Sequence, residues 1–322
     1  MKNTQKPDLH VVLGATGALG SNLVDELLYQ KKKVVAVVRN LAKAHQRFNH
    51  PELIIRKADL LQKEDVISAI SGGSIVYHCG GLPYKDWMKY YPVMNSNILE
   101  AVRKEGAVLV YADNLYMYGR MQHEQIAENH PISHKSKKGS LRYYLAAQIL
   151  EAHKNGSLRA VIVRAGDYYG PFVKNGFAEP LFQNPLIGKP VSWIGNADQP
   201  HSLIYIKDLT KAVVMIAENE DTYGQIWHIP GDNAFTGREY AEQIGSALGT
   251  KVKIKVLTPF MLNILSPFVP ILRELKDLSF EWVNPFIIDG TKFSRQFPGY
   301  IPTTHAEAFR ETLDWFNAHL SV

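Results

Sequence analysis

The stretch "ADNLYMYG" at 112–119 presents Asn114 and Tyr116, and "RYYLAAQ" at 142–148 presents Tyr143 beside Tyr144. A carboxamide donates a hydrogen bond to a carbonyl oxygen but relays no proton. A phenol gives or takes one when a neighbouring cation lowers its pKa. Neither Tyr143 nor Tyr144 is followed by a lysine four positions on, so on a helix neither phenol meets a cation one turn away. Lys138 and Arg142 are the cations near enough in sequence to swing in instead.

A second kind of chemistry is written near the N-terminus. "VVLGATGALGSNLV" sets Gly14, Gly17 and Gly20 between a β-branched run and an amphipathic one, with Thr16, Ala18 and Leu19 among them. Glycines at a strand-to-helix junction allow a tight turn, close approach of backbone to a pyrophosphate, and close packing of helix on sheet, while the helix N-terminus supplies amide donors. The spacing is G-x-x-G-x-x-G, one residue wider than the usual dinucleotide fingerprint. At the end of the next run, "VVRN" offers Arg39 and Asn40. An acidic residue there would bind ribose hydroxyls and exclude a 2′-phosphate; a guanidinium pairs with that phosphate, so NADP is expected ahead of NAD.

The elements that position these residues follow from periodicity. Short β-branched runs recur at "HVVLG", "KVVAVV", "ELIIR", "SIVYHC", "AVLVYA", "RAVIVRA" and "QIWHI". Most are separated by helical patterns such as Leu19, Leu23, Val24, Leu27 and Leu28. Continuous apolar strands joined by helices predict an α/β fold, a Rossmann-type doubly wound parallel sheet. After residue 170 the rhythm loosens. We therefore expect a dinucleotide-binding domain from 1–170 plus 201–230, and a second, smaller C-terminal substrate lobe from 171–200 plus 231–322.

"GATGALG", "KADL" at 57–60, "YHCGG" at 77–81, "YMYG" at 116–119, "DYYGP" at 167–171 and "IKDLTKAV" at 206–213 occur in one order. In that order the chain resembles the extended short-chain dehydrogenase/reductase family, the NAD-dependent epimerase/dehydratases, over nearly its whole length. The resemblance implies that Asp59 and Leu60 contact the adenine ring, that Gly80 and Gly81 line the cofactor, and that Asn95 sits on the helix beside it. It implies that Asp208 closes the lobe junction and that Tyr118 and Tyr169 anchor turns. The family's chemistry uses a serine or threonine after the fifth strand, and a tyrosine with a lysine four residues on. Here Asn114 fills the hydroxyl position, Gly139 the tyrosine position and Tyr143 the lysine position, and no Tyr-x-x-x-Lys follows the fifth run. The expectation is an NAD(P)-dependent oxidoreductase with a degenerate site, acting on a carbonyl or hydroxyl group of a small metabolite or sugar derivative. Tyr116 is the candidate substitute acid. A non-catalytic NADP-binding sensor and a sugar epimerase or dehydratase stay open. Family members often pair through their fourth and fifth helices, so a homodimer is a further expectation.

Composition narrows the rest. The 322 residues are 46% hydrophobic and 21% charged, the range of globular proteins. A single cysteine, Cys79, precludes an intrachain disulfide and points to the cytoplasm. The net charge is +5, but "KKK" at 31–33 and "KSKK" at 135–138 lack interleaved aromatics, so these are expected to be solvated faces and no nucleic-acid partner is expected. His130 and His134 are four apart across Pro131, a poor helical metal pair, and no metal is expected. His201, near the strand where the family often carries a basic residue on a substrate phosphate, is expected to be structural. "PFMLNILSPFVPILREL", from Pro259, is broken by Pro267 and Pro270 and is too short to span a bilayer. It is expected to be a buried lid or subunit contact, with no membrane partner.

Overall fold

The computed structural model of the protein describes residues 8–133 and 135–320, apart from the side chains of Pro270 and Ile271. Its strands are β1 (Leu9–Leu13), β2 (Lys33–Val38), β3 (Ile54–Lys57), β4 (Ile75–His78), β5 (Val108–Asp113), β6 (Arg159–Arg164), β7 (Asp167–Tyr169), β8 (Val191–Ile194), β9 (Pro200–His201), β10 (Leu203–Tyr205), β11 (Ile226–His228), β12 (Phe235–Thr236) and β13 (Ile254–Leu257). The α-helices are α1 (Ala18–Tyr29), α2 (Leu41–Arg47), α3 (Lys63–Ile70), α4 (Trp87–Glu105), α5 (Lys137–Lys154), α6 (Ala178–Leu186), α7 (Ile206–Ala217), α8 (Gly237–Leu248), α9 (Pro259–Leu265), α10 (Pro270–Lys276), α11 (Phe280–Val283), α12 (Thr291–Gln296) and α13 (His305–Ala318).

The seven β-branched runs are the seven strands of one sheet, ordered β11-β6-β5-β4-β1-β2-β3. The pairs β1–β2, β2–β3, β1–β4, β4–β5 and β5–β6 are parallel. Val11 to Leu13 and Val34 to Val38 are buried without alternation, because a parallel strand flanked by helices has no solvated face. The strand order reverses between β1 and β4, so the loops leaving these two strands lie side by side at the switch point where such sheets take their ligands.

The chain divides into two compact units. One holds the described residues up to Asp113, then Leu141–Arg164 and Thr210–Trp227; the other holds Asn114–Ser140, Ala165–Leu209 and the described residues from His228 on. The sequence-based division instead gave 114–140, 165–170, 201–209 and 228–230 to the dinucleotide-binding part. Within the second unit the 114–140 segment is held by long-range contacts invisible to local periodicity. Ile126 bridges Ile288, the Tyr118 hydroxyl lies 2.8 Å from His228 Nε2, and Leu115, Met117, Tyr118 and Ile126 pack with Phe286. The rest of that unit is an aromatic core. Tyr169 stacks on Phe182 and meets Phe309 edge-on, with its hydroxyl 2.7 Å from His305 Nδ1. Tyr118 and Tyr169 are thus both fully buried anchors.

Two surface expectations change. The late apolar stretch is not buried: Phe260, Ile264 and Phe268 are exposed, and only Leu262 on α9 turns inward. The basic runs are not wholly solvated either. Lys32 is paired with Glu218, and Lys138, with its side chain 8% exposed, is paired with Glu274 at 2.6 Å and Asp277 at 3.6 Å.

Asp208 is a clasp of the second unit. Its carboxylate accepts from the Thr303 backbone N–H at 2.7 Å and the Thr303 hydroxyl at 2.8 Å, holding the entry to α13. Replacing Asp208 by alanine should cost about 2–3 kcal/mol, the size of charge-assisted hydrogen bonds lost from a buried acceptor. The check is the urea midpoint of unfolding, and an unchanged midpoint would remove the clasp from the account of stability.

Candidate active site

The loop after β1 is built for close approach. Gly14 has φ +77°, and a Cβ there would lie 2.7 Å from the Gly80 Cα and 2.9 Å from the Cys79 carbonyl oxygen. A side chain on Gly20 would collide with the Gly14 carbonyl. The β1 and β4 loops therefore meet backbone to backbone, and only glycine permits it. Helix α1 starts at Gly17 with no side-chain cap and no acidic residue in its first turn, which leaves the amides around Ala18, Leu19 and Gly20 for an anion. Thr16 is half-buried in the same loop. This cradle fits a dinucleotide pyrophosphate.

The neighbouring candidates fall into place around it, with some already engaged. A Cβ on Gly80 would press on Leu60 Cδ1 at 2.8 Å, so the β3 and β4 loops also touch, while Gly81 has open space around it. The Asp59 carboxylate accepts from the Leu61 N–H at 3.0 Å. Arg39 is exposed just beyond β2. The Asn40 carbonyl oxygen caps α2 by accepting from the Lys43 N–H at 3.0 Å, so only its amide hydrogens are left for a ligand. Buried Asn95 donates to Gln148 Oε1 at 3.2 Å, and Gln148 donates to the Tyr144 hydroxyl at 3.0 Å. That chain ties α4 to α5, and the Asn95 carbonyl oxygen is left buried without a partner.

At the end of β5 the first unit holds an ion cluster that sequence reasoning missed. Asp113, with no exposed side-chain surface, receives Arg142 Nε at 2.7 Å and Arg164 Nε at 3.0 Å. Arg142 also donates to the Ala112 carbonyl at 3.1 Å, and its guanidinium lies 5.0 Å from the Tyr111 ring and 5.2 Å from Tyr91. Arg142 is therefore fixed in place, and Lys138 is fixed by its two carboxylates, so the expectation that either swings in as the missing cation is overturned. An aspartate and two arginines spread over 51 residues leave no local pattern to read.

Gly139, which the family resemblance sets at the tyrosine position, is closely covered. A Cβ there would lie 2.6 Å from the Tyr116 carbonyl oxygen and 3.0 Å from Ser136 Oγ, so a side chain would force the Tyr116 backbone to shift. Asn114 and Tyr116 are brought together: the Asn114 carbonyl oxygen accepts from the Tyr116 N–H at 3.2 Å. That bond turns the remaining chemistry of Asn114 into that of an amide donor. Tyr143 lies on α5 in the first unit and is 44% exposed. One Tyr-x-x-x-Lys spacing does exist in the chain, from Tyr29 to Lys33. It runs from the end of α1 into the start of β2, the edge of the sheet opposite the strand C-termini.

His201, His130, His78 and Cys79 are all engaged or buried. His201 is buried, stacked 4.1 Å from Trp282, with Nε2 3.0 Å from Asp167 Oδ2 and Nδ1 3.2 Å from the Glu281 carbonyl. Both ring nitrogens are engaged, so no edge is left for a phosphate. His130 accepts from the Gln122 N–H at 3.0 Å; His134 lies outside the described residues. Among the described residues no group of three potential metal ligands converges. Burial pushes the Cys79 thiol up to about 12, which leaves it protonated and unreactive. Burial, with the Arg142 charge adding to it, holds buried His78 down to about 3.

Comparison with known proteins agrees with this geometry. The model of the NAD dependent epimerase/dehydratase family matches residues 10–229. An uncharacterized UDP-glucose epimerase of Bacillus subtilis is 25% identical over 69% of this chain and 76% of its own. The decarboxylating sterol-4-alpha-carboxylate 3-dehydrogenase of Mus musculus is 21% identical over 95% of this chain and 90% of its own. Among solved structures, UDP-glucuronic acid 4-epimerase from Bacillus cereus, in complex with UDP-glucuronic acid and NAD, superposes with a TM-score of 0.80 at 19% identity, covering 97% of this chain and 99% of that one. These likenesses establish the fold.

Two outcomes follow. Asp113→Ala leaves two guanidiniums buried without their carboxylate and should destabilise the protein by about 3–5 kcal/mol, read from denaturant unfolding; a loss below about 1 kcal/mol would mean that the cluster is solvated. His78 is neutral in the fold, whereas the unfolded chain takes up a proton below its ordinary value of 6.5. Its contribution is thus complete above that pH and is lost as pH falls toward about 3, at roughly 1.4 kcal/mol per unit. Stability measured against pH should fall less steeply in His78→Asn by about one proton, and parallel curves would refute the burial of a neutral imidazole.

Proposed function

This chain belongs to the NAD dependent epimerase/dehydratase family, and from that premise we propose that it is a dinucleotide-dependent oxidoreductase working without a tyrosine–lysine pair. The cofactor is a nicotinamide dinucleotide, held over the β1–α1 loop by Gly14, Gly17, Gly20 and the first-turn amides of α1. The observation that carries the reading is the Gly14–Gly80 approach, which keeps side chains out of the place a pyrophosphate needs. When bound, such a cofactor supplies or accepts a hydride. Arg39 supports a preference for NADP over NAD, through pairing with the 2′-phosphate.

The substrate side follows from what the residues can do. Asn114 would polarise a carbonyl oxygen by hydrogen bonding, and Tyr116, two residues on, offers a phenol. Hydride addition to a carbonyl of a small metabolite leaves an alkoxide that the Tyr116 phenol would protonate, since a carboxamide neither gives nor takes that proton, and the same two groups would serve the reverse oxidation. Epimerisation or dehydration of a nucleotide sugar is less favoured. Those reactions need a base at the position where Gly139 carries no side chain, and His201 has no free edge for a diphosphate. The same closure at Gly139 favours one second reading, a protein that binds the dinucleotide and reports on it without turnover. Exposed Met88, Val93, Tyr143 and Tyr144 on α4 and α5 support pairing of two copies through those helices.

Calorimetric titration with NADPH, NADH and their oxidised forms, followed by a carbonyl panel under the preferred reduced cofactor, tests these statements. NADPH should bind at least about tenfold more tightly than NADH, a difference of roughly 1.4 kcal/mol, and Arg39→Glu should reverse that order. Turnover should fall by about a hundredfold or more in Asn114→Ala and should also fall in Tyr116→Phe. Binding without hydride transfer to any carbonyl selects the reporting role, and no binding of any form ends both readings.

A further inference from the structure

Residues 256–272 contain no charged side chain, yet the fold does not bury them. Phe260 is 72% exposed and Phe268 81%, and Met261, Ile264, Leu265 and Val269 are exposed with them. The segment is nonetheless ordered by its own bonds. The Thr258 hydroxyl caps α9 by accepting from the Met261 N–H at 3.3 Å, Leu262 and Ser266 are buried beneath it, and Arg273 on α10 donates to the Pro267 carbonyl at 3.0 Å. Proteins that stay in water rarely expose so large an apolar surface without a use for it.

The charges around this segment are predominantly positive. Lys251 and Lys253 just before β13, and Lys255 on it, alternate, exposed, on the approach to α9. Arg273 is held at the turn between α9 and α10 by its bond to Pro267, next in the chain to exposed Phe268, and Lys276 is exposed at the end of α10. The two carboxylates of the stretch, Glu274 and Asp277, share the one ammonium of Lys138 and so leave a single negative charge against Lys251, Lys253, Lys255, Arg273 and Lys276.

We propose that α9 and α10 dock this protein onto the surface of an anionic lipid bilayer, Phe260, Ile264 and Phe268 entering the headgroup boundary while the lysines and Arg273 meet lipid phosphates. Exposed aromatic and aliphatic side chains bordered by basic residues are the composition of segments that lie in a membrane interface. The segment lies on the bilayer and does not cross it: no helix among the described residues is long and apolar enough to span one, and Pro267 and Pro270 interrupt the run. A second copy of the chain is the weaker occupant. A two-fold contact sets the same patch against itself, which here would bring a net-positive surface against a second net-positive surface.

The test is flotation of the full chain with vesicles of phosphatidylcholine alone and of phosphatidylcholine with about 30% phosphatidylglycerol. The protein should float with the anionic vesicles, at least about tenfold more weakly with the neutral ones, and should be released by about 0.5 M salt. The double variant Phe260→Ser, Phe268→Ser replaces exposed side chains and should keep the circular dichroism and urea midpoint of the parent while losing flotation. Lys253→Ala with Lys255→Ala, a milder change, should weaken it severalfold. Failure of the parent to float, or flotation of the double variant equal to the parent's, overturns the proposal. So does a parent that self-associates in solution through this patch, with the double variant monomeric and neither binding vesicles.

Discussion

The Asp113 carboxylate, shared by Arg142 and Arg164, is the interaction on which the first unit's site end depends. It joins the last residue of β5 to the last residue of β6 and to the second turn of α5. Each guanidinium alone would be an uncompensated charge in a dry interior; together with the carboxylate they form a bonded group that costs little so long as every member is present. Tyr91 and Tyr111 lie around Arg142 within 5.2 Å, which lowers the local dielectric and raises the cost of losing any one partner. The Arg142 cation of α5 is therefore spent on architecture.

The closure at Gly139 is a second constraint of the same kind, within the other unit. Tyr116 brings its carbonyl to a distance that only a glycine tolerates without a shift of backbone, and the Asn114 carboxamide holds the Tyr116 backbone in that position. The Asn114 oxygen thus shapes the 114–118 loop.

How much of this was legible beforehand differs by scale. The seven strands could be read because a parallel sheet flanked by helices demands uninterrupted Val, Ile and Leu, and the Gly14 loop could be read because close backbone approach demands glycine at fixed offsets. Asp113, Arg142 and Arg164 could not, since ion partners brought together by strand order carry no spacing signal. Gly139 was visible as a departure, but its meaning lay in a carbonyl 23 residues away. Of the two roles expected for the stretch after Pro259, the buried lid fails because hydropathy records which residues are apolar and not whether anything in the chain covers them. The unit division was drawn from strand–helix rhythm, whereas 114–140 is held by Tyr118, Ile126 and their distant partners.

The two departures from pattern, an occupied cation and an excluded tyrosine, bear on the proposed chemistry in the same direction. A reaction that begins by removing a proton from an alcohol needs a group whose neutral form is a base near neutral pH. Burial keeps His78 neutral, but it sits under the β4 loop with one nitrogen accepting from the Gly80 N–H at 3.2 Å and the other enclosed. Burial and neighbouring carboxylates likewise hold the Tyr169 and Tyr205 phenols high, with burial the larger effect. None of these three groups can serve as that base. Hydrogen-bond donation to a carbonyl needs no titration at all, which is why the role proposed for Asn114 asks nothing of a displaced pKa.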